Sequence, residues 1–276
     1  MEKPISEILE FCIINVDKPS GITSFKTADK VRNILKAKKT GHFGTLDPMV
    51  TGVLPIAINR ACRLSNYFMK KDKEYVGEMY VHSQVDESLL KKEMDKFVGK
   101  IMQKPPVRSR VKRVLRERKV NKFEIIDIKK KGKGLLVKFR SDVQAGTYIR
   151  KLISDLGEVI GGAHMVSLRR IRAGIFKEDD SFSLEDIYDA FQAYKDGNEG
   201  KLRKMLIPGG IVRQIITSVQ VKETIVSGLL NGKVLNMEDI DDKIPNSDLI
   251  SVFCGERFIG VYIRSDKGFK PEFVKN

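Results

Sequence analysis

Residues 41–52 of the chain read Gly-His-Phe-Gly-Thr-Leu-Asp-Pro-Met-Val-Thr-Gly. Three glycines, one proline and two threonines in twelve residues are poorly suited to the interior of a helix or of a central strand, so we predict a shaped loop. Its carboxylate, Asp47, precedes Pro48, which favours an extended backbone at Asp47. An isolated Asp-Pro pair usually marks an ordinary surface turn. A carboxylate on a glycine-lined loop can also be approached closely by a ligand.

The segments on both sides of this loop predict buried secondary structure. Residues 11–16 and 53–58 are short apolar runs that indicate buried strands. Between them, Thr23 or Ser24 is expected to cap a helix that reaches Leu35. The loop therefore joins elements that belong to one core.

Farther along the chain, periodicity predicts further elements. Residues 73–81 and 135–140 alternate as strands do, and 86–98 has helical spacing. A helix is predicted from Tyr148 to Leu156, with Gly157 as its end.

The sequence after residue 207 suggests a second module. Pro208-Gly209-Gly210 is the strongest boundary signal in the chain. Beyond it we predict a helix near 221–230 and strands near 249–253 and 258–263. This composition indicates a small, mostly β module.

The charge balance restricts the partners. With 51 lysines and arginines against 36 acidic residues, the formal net charge is +15, which predicts a polyanionic partner such as nucleic acid, or less readily an anionic membrane surface. No apolar run approaches the roughly 18 residues that a membrane-spanning helix needs, and residues 1–4 lack the pattern of a signal peptide. We therefore expect a soluble cytoplasmic protein without a membrane partner.

The densest basic segment is residues 104–119, where eight lysines and arginines accompany one acid. Such a run can be a solvated surface, but interleaved valines suggest attachment to a sheet edge, where it would form an RNA-binding surface. The candidate RNA contacts are Lys112, Arg113 and Arg116.

The residues that build metal or nucleotide sites have no suitable spacing. The three cysteines, Cys12, Cys62 and Cys254, are scattered and are expected to be free thiols. The three histidines do not supply a metal-ligand pair, and neither GxxxxGK[ST] nor GxGxxG occurs. We therefore predict no cofactor and no metal.

Five separated segments together resemble the TruB family of RNA pseudouridine synthases, in order and at similar spacing. Details such as Met49-Val50-Thr51-Gly52 are similar to the archaeal and eukaryotic dyskerin branch. Residues 211–276 resemble a PUA module, an RNA-binding β-barrel. The five segments are 17–24, 41–52, 73–75, 146–150 and 168–170.

The resemblance implies a mixed α+β fold with a central, largely antiparallel sheet in residues 1–210, a β-barrel-like PUA module in 211–276, and no cofactor. It also implies roles for individual residues. Asp47 matches the catalytic aspartate, Arg150 its ion-pair partner, and Tyr75 the aromatic residue against the target base. Three other residues complete the implied substrate-binding set: Leu168 as an apolar wall, His42 near the flipped nucleotide, and Lys18 as a structural or phosphate-adjacent lysine.

The implied chemistry agrees with these residue types. Isomerisation of uridine detaches the base from C1′ of the ribose and rejoins it through C5. A carboxylate can assist either as a nucleophile or as a base at C2′, and both routes stay open. Burial alone would raise the pKa of Asp47, and an arginine partner such as Arg150 would oppose that shift. The target base must leave its stack, and Tyr75 can replace the lost stacking.

Three functions fit the sequence. The branch resemblance favours the catalytic subunit of an archaeal-type H/ACA ribonucleoprotein, in which a guide RNA selects uridines in rRNA or tRNA and small companion proteins dock on the enzyme. The short PUA-like module favours instead a stand-alone enzyme for the tRNA T-arm. A non-catalytic RNA-binding scaffold or chaperone is the third reading, which Asp47, Tyr75 and Arg150 speak against.

Overall fold

The computed structural model describes residues 3–105, 112–241 and 246–276. These residues form a mixed α+β fold of fourteen strands and eight α-helices. The strands are Phe11–Lys18 (β1), Thr40–His42 (β2), Thr51–Asn59 (β3), Lys73–Val81 (β4), Gly99–Gln103 (β5), Arg116–Lys131 (β6), Gly134–Val143 (β7), Ala163–Ala173 (β8), Phe176–Lys177 (β9), Leu206–Pro208 (β10), Thr217–Gln220 (β11), Leu249–Cys254 (β12), Arg257–Ser265 (β13) and Gly268–Val274 (β14). The helices are Ile5–Leu9 (α1), Ser24–Ile34 (α2), Ser65–Met69 (α3), Glu87–Asp95 (α4), Ile149–Ile160 (α5), Leu184–Lys195 (α6), Gly200–Met205 (α7) and Glu223–Leu230 (α8).

The first ten strands make one sheet. Its order is β10-β1-β3-β8-β4-β7-β6-β5, with β2 paired to β3 and β9 paired to β8. Only one of the described pairings in this sheet is parallel, between β3 and β8, where Gly52 lies opposite Arg170. The prediction of a central, largely antiparallel sheet is confirmed.

The strand β4 shows why the alternating pattern was informative. Its residues are buried and partly exposed in strict turn from Lys73 to Val81, so one face packs into the core and the other faces outward. Tyr75 and Met79 lie on the buried face. The predicted strands over 73–81 and 135–140 are confirmed, and β4 and β7 are direct neighbours.

The helix predicted to end at Gly157 is longer than expected. α5 continues to Ile160, and Gly161 follows it with a left-handed φ of 85°, which is the usual glycine position after a helix. Gly157 serves packing instead, because a Cβ there would lie 2.5 Å from the backbone nitrogen of Ala163 on β8. The prediction that Gly157 ends the helix was wrong. Glycine is favoured both at a helix end and where a helix packs closely on a strand, and the sequence does not distinguish the two.

The last four strands form a second sheet, in the order β11-β12-β13-β14, which fits a PUA-like fold. It has its own apolar cluster, including Val252 and Tyr262. The sequence analysis found the helix and the strands β12 and β13 but missed β11 and β14. Both are edge strands in this order, and their apolar patterns are correspondingly weak.

Aromatic residues join the second sheet to the first. The rings of Phe11 on β1 and Phe258 on β13 are stacked with centroids 5.2 Å apart, and Phe273 on β14 lies against both. Gly209 permits this contact, because a Cβ there would meet the Phe11 ring at 2.4 Å. Within the described residues, no helix combines the length and the apolar character that crossing a bilayer requires.

Candidate active site

The loop that carries Asp47 joins the paired strands β2 and β3. Its apolar side chains anchor it: Phe43, Leu46 and Val50 are all buried, and the Phe43 ring stacks on Phe68 with centroids 4.8 Å apart. The loop is therefore held on its inner side by the core, while Asp47 projects from its outer side.

Polar contacts fix the backbone on both sides of Asp47. The backbone N–H of Leu46 donates to the Ser24 hydroxyl at 2.8 Å, and that hydroxyl donates to the Leu46 carbonyl at 3.0 Å. On the other side, the Pro48 carbonyl accepts from Lys18 Nζ at 3.0 Å and from the Gly21 N–H at 2.9 Å. Two segments near the N-terminus thus hold the neighbours of Asp47 in place.

Lys18 is completely buried. Besides Pro48, its ammonium donates to the carbonyls of Pro19 at 2.8 Å and Ile22 at 2.7 Å, so its three N–H groups have three acceptors. Burial lowers the pKa of Lys18. The structure places this residue underneath the loop as a support. Its role as a site residue stays a prediction.

The side chains of Asp47 and Arg150 form an ion pair between Oδ2 and Nη2. Both remain half exposed, with 51% and 57% of the side-chain surface accessible. Exposed pairs of this kind contribute at most about 1 kcal/mol to stability. The pairing therefore orients the carboxylate without burying it.

Arg150 is positioned by the start of α5. The residue that precedes this helix, Tyr148, is bonded twice to the buried side chain of Gln103: its N–H donates to Oε1 at 2.9 Å, and its carbonyl accepts from Nε2 at 3.2 Å. Gln103 is the last residue of β5 and lies opposite Arg116 on β6. The edge of the sheet thereby fixes the helix end that presents Arg150.

A buried guanidinium lies behind the loop. Arg170 on β8 is 1% exposed and donates to the carbonyls of Val53 at 2.7 Å and Gly44 at 3.0 Å. It also contacts the hydroxyl of Tyr75, its opposite residue on β4. Burial lowers the pKa of Arg170, and the Tyr75 hydroxyl opposes the shift. Arg170 thus connects Tyr75 with the glycine-rich part of the loop.

Tyr75 and Leu168 lie on the same face of the sheet. Leu168 is two residues before Arg170 on β8 and faces Gly77 on β4, and both Tyr75 and Leu168 are at most 9% exposed. Gly77 gives Leu168 its space, since a Cβ there would approach Leu168 Cδ1 to 2.9 Å. These two side chains supply an apolar surface beside the loop.

His42 ends β2 and is partly buried. Its Nδ1 is inaccessible and has no hydrogen-bond partner among the described residues. Burial lowers the pKa of His42, and the charge of Arg170 lowers it further. Both effects favour the neutral imidazole, and its Nδ1 retains hydrogen-bonding capacity.

A second buried lysine, Lys73, lies close to Arg170 and Gly44. Its ammonium donates to the carbonyl of Met69 at 2.6 Å and also contacts the carbonyl of Lys71. Burial lowers the pKa of Lys73 to about 8, and the charge of Arg170 adds to the shift. Lys18, Arg170 and Lys73 together place positive groups beneath the loop.

The predicted RNA contacts lie just before β6. Lys112 and Arg113 are exposed, while Arg116 is half-buried at the start of the strand. Arg113 Nε donates to the Pro105 carbonyl at 3.2 Å. Residues 106–111 of the basic run lie outside the described residues. Because Arg116 is opposite Gln103, this segment adjoins the support of Arg150.

Metal-ligating residues are not clustered in the described part of the chain: no group of three or more His, Cys, Asp or Glu side chains could hold an ion there. The three cysteines are free thiols, as predicted. The groups gathered around the loop are instead one carboxylate, two arginines, a tyrosine and an imidazole, a set suited to proton transfer and electrostatic stabilisation.

Comparison with known proteins identifies the family. Residues 32–89 match the N-terminal domain of the TruB family pseudouridylate synthases, and residues 150–210 match the C-terminal domain of tRNA pseudouridylate synthase B. A Korarchaeum cryptofilum protein named "Probable tRNA pseudouridine synthase B" is 43% identical over 242 residues, which cover 87% of this chain and 73% of that protein. The chain belongs to the TruB family. It is a pseudouridine synthase, an enzyme that isomerises uridine in RNA.

Relatives within the TruB family include two kinds of named protein. The Nanoarchaeum equitans protein, 42% identical over 91% of this chain and 72% of its own length, carries the same tRNA synthase name. The chain also superimposes, with a TM-score of 0.88 and 36% identity, on one in the crystal structure of a Cbf5-Nop10-Gar1 complex, over 99% of this chain and 87% of that one. A chain in an H/ACA ribonucleoprotein bound to substrate RNA gives a TM-score of 0.86 at 34% identity, over 99% and 87% of the two chains.

Three supporting residues, Ser24, Lys73 and Arg170, received no role in the site from the sequence. Ser24 was considered only as a helix cap, and Thr23 takes that position. Each of the three lies inside a segment that resembled the family, so the signal was present. Their partners are Leu46, Met69 and Val53, which lie 22, 4 and 117 residues away. Hydrogen bonds from a side chain to a backbone carbonyl leave no periodic pattern in the sequence, whether the carbonyl is near or far along the chain.

Proposed function

We propose that the chain is the catalytic subunit of an archaeal-type H/ACA ribonucleoprotein, in which a guide RNA selects uridines in rRNA or tRNA. The observation that carries the proposal is the superposition over 99% of the chain on proteins solved within such assemblies. A further structure, of the archaeal box H/ACA sRNP Nop10-Cbf5 complex, contains a chain that matches this one with a TM-score of 0.85. Small companion proteins of this kind would be the partners of this chain.

In this proposal Asp47 is the catalytic residue. Its carboxylate is fixed through Leu46 and Pro48 yet half exposed, so it can meet the ribose of a uridine turned out of its stack. It would act either as a nucleophile or as a base at C2′. Arg150 would keep the carboxylate ionised and oriented.

The neighbouring residues would bind the uracil ring. Tyr75, held by Arg170, can pack against the base in place of the lost stacking, and Leu168 can shield the detached uracil from water. His42 would lie near the flipped nucleotide, and burial together with the charge of Arg170 favours its neutral form. Lys18 would act through the loop rather than by contact with the substrate, because its donors are already used.

RNA would be held by two regions outside this site. One is the segment that contains Lys112, Arg113 and Arg116, which adjoins the support of Arg150. The other is residues 211–276, which we propose as a PUA-like RNA-binding domain beside the catalytic domain of residues 1–210. Their separate sheet and core support this division.

A stand-alone enzyme for the tRNA T-arm is the second candidate. It is favoured by the name that the two archaeal relatives above share, "Probable tRNA pseudouridine synthase B". The two candidates share the chemistry of Asp47 and differ in how the uridine is chosen.

The test is tritium release from 5-³H-uridine in an unmodified tRNA transcript, with wild type and Asp47→Asn side by side. Without a guide RNA, we expect no tritium release from either protein. When an H/ACA guide and companion proteins are added, we expect rapid release by wild type and none by Asp47→Asn. Release by wild type without any guide would favour the stand-alone enzyme. Equal activity of Asp47→Asn would remove Asp47 from the mechanism.

The RNA surface has its own test. Replacing Lys112, Arg113 and Arg116 with Gln should weaken RNA binding and reduce the slope of log K against log salt by about 2, since each lost phosphate contact contributes about 0.7–0.9. The matched control neutralises the exposed Lys91 and Lys92 on α4. An unchanged salt slope would show that the basic segment does not contact RNA.

A further inference from the structure

A cleft of about 690 Å³ lies where the large sheet meets the C-terminal sheet. The cleft lies at the Asn59 end of the nine-residue strand β3. Asp47 lies near the other end of this strand, four residues before Thr51. The volume of the cleft falls within the range of about 300–1,000 Å³ that small-molecule sites occupy. The residues that line it are Glu10, Lys38, Lys39, Asn59, Arg60, Cys62, Arg63, Gly232, Pro271, Glu272, Phe273, Val274 and Asn276.

The charge of this cleft is predominantly positive. Four cations line it, namely Lys38, Lys39, Arg60 and Arg63, against the carboxylates of Glu10 and Glu272. Glu272 is hydrogen-bonded to the hydroxyl of Tyr67. Within the described residues, none of Lys38, Lys39 and Arg60 forms an ion pair, in contrast to Arg169 on β8, which donates to Asp17 at 2.9 Å through both terminal nitrogens.

The two lysines are held in place by Asn59. Its Oδ1 accepts from the backbone N–H groups of Lys38 at 2.9 Å and Lys39 at 3.1 Å, and its Nδ2 donates to the Leu9 carbonyl at 3.0 Å. Asn59 itself has a φ of 50° and a ψ of −117°, a strained conformation for a residue other than glycine. A strained residue whose side-chain oxygen and nitrogen both bind the backbone indicates that the position of the lysine pair is specified.

The C-terminal sheet supplies the opposite wall. Pro271, Phe273 and Val274 give it an apolar surface, and the Arg63 guanidinium lies over the Phe273 ring at 5.9 Å from its centroid. A planar cation on an aromatic ring offers a flat surface on which a nucleobase can stack. Cations on one side and a flat apolar surface on the other suit a ligand that has both a phosphate and a base.

We propose that this cleft binds a phosphorylated nucleotide, with the phosphate against Lys38, Lys39 and Arg60 and the base toward Arg63 and Phe273. The nucleotide can be free or part of a single-stranded RNA chain, because the same groups recognise both. The site is separate from Asp47 and does not depend on the proposed reaction. Binding of an RNA chain there would rest on the RNA-binding role proposed for residues 211–276, whereas a free nucleotide would be an additional ligand.

The test is binding of ADP, adenosine and a hexa-adenylate oligonucleotide to the full chain, measured by fluorescence polarisation and calorimetry. None of these probes contains uridine, so the reaction at Asp47 is not involved. We expect Lys38→Gln with Arg60→Gln to weaken binding by about tenfold or more, since two charge-assisted contacts are lost. Lys91→Gln with Lys92→Gln removes the same charge from the exposed face of α4, and Asp47→Asn alters the other site; both should bind as wild type does.

The two sources give different results. Tight binding of ADP that the first double variant loses would establish a site for a free nucleotide. If hexa-adenylate binds and ADP does not, and the first double variant loses the binding of hexa-adenylate, the cleft is an RNA site. The proposal is overturned if neither probe binds, if adenosine binds as tightly as ADP, or if the two double variants are equally impaired.

Discussion

The two ends of β3 are built in opposite ways. At Thr51, buried cations bind backbone carbonyls: Lys18 holds Pro48 and Arg170 holds Gly44, and a carboxylate is presented to solvent. At Asn59, the side-chain oxygen of a half-buried amide accepts from backbone N–H groups, and lysines are presented to solvent. At each end, the groups that hold the backbone are opposite in polarity to the side chain that is exposed. Cations hold the loop of the Asp47 carboxylate, and an amide oxygen holds the backbone of the two lysines.

The difference shows what positions a polar group at a strand end. A buried, fully bonded donor or acceptor fixes the backbone, because leaving it without a partner costs about 1–3 kcal/mol. The displayed side chain then needs little stabilisation of its own. Asp47 depends on this principle more strongly, since three separate residues, Lys18, Ser24 and Arg170, hold its loop.

The largest effect is expected for Lys18→Met. Three carbonyls would lose their donor, so the unfolding free energy should fall by about 3 kcal/mol. The rate of the chemical step should fall by more than tenfold because Asp47 is no longer fixed. Urea unfolding and single-turnover kinetics measure the two effects. Lys26→Met on the exposed face of α2 is the control, and equal behaviour of the two variants would contradict the supporting role of Lys18.

Ser24→Ala removes the hydroxyl that both accepts from and donates to Leu46. We expect a loss of about 2 kcal/mol in unfolding free energy and a reduced single-turnover rate with little change in RNA affinity. Ser20→Ala is the matched control, since the Ser20 hydroxyl is only 3.4 Å from the Met49 carbonyl and is exposed. A change in affinity without a change in rate would place Ser24 outside the support of Asp47.

Lys73 makes stability depend on pH. Burial lowers its pKa to about 8 from 10.5, so between these values the unfolded chain binds the proton and the folded chain does not. Stability must therefore rise with pH in this window. Relative to Lys73→Met, the unfolding free energy of wild type should increase by about 2 kcal/mol from pH 7 to pH 9.5. A constant difference in urea unfolding would show that Lys73 has an ordinary pKa.

The smallest effect is expected at the other end of β3. Asn59→Gly loses three hydrogen bonds but relieves backbone strain of about 1–3 kcal/mol, so stability should change by less than about 1 kcal/mol. Asn59→Ala keeps the strain and should be the less stable of the two. Neither should alter the single-turnover rate. Thermal unfolding would confirm that both variants are folded at the assay temperature. A loss of single-turnover rate in folded protein would show that the two ends of β3 are coupled.

Sequence patterns predicted most of the elements and the loop that carries Asp47. The alternation in 73–81 and the glycine and proline content of 41–52 were sufficient for a strand and a loop. They were insufficient where one residue type serves two purposes, as at Gly157, which packs against Ala163 instead of ending α5. They also missed the edge strands β11 and β14, whose burial is incomplete.

The sequence by itself determined the family, the loop around Asp47 and the basic character of the surface. Short-range rules and motif spacing carry that information. Only the tertiary structure decided that Lys18 supports the Pro48 carbonyl, that Arg170 joins Tyr75 to Gly44, and that a cationic cleft forms at Asn59. The hydrogen bonds behind these features join residues between 20 and 126 positions apart in the chain. Their geometry is set by the order of strands in the sheet, which no local pattern specifies.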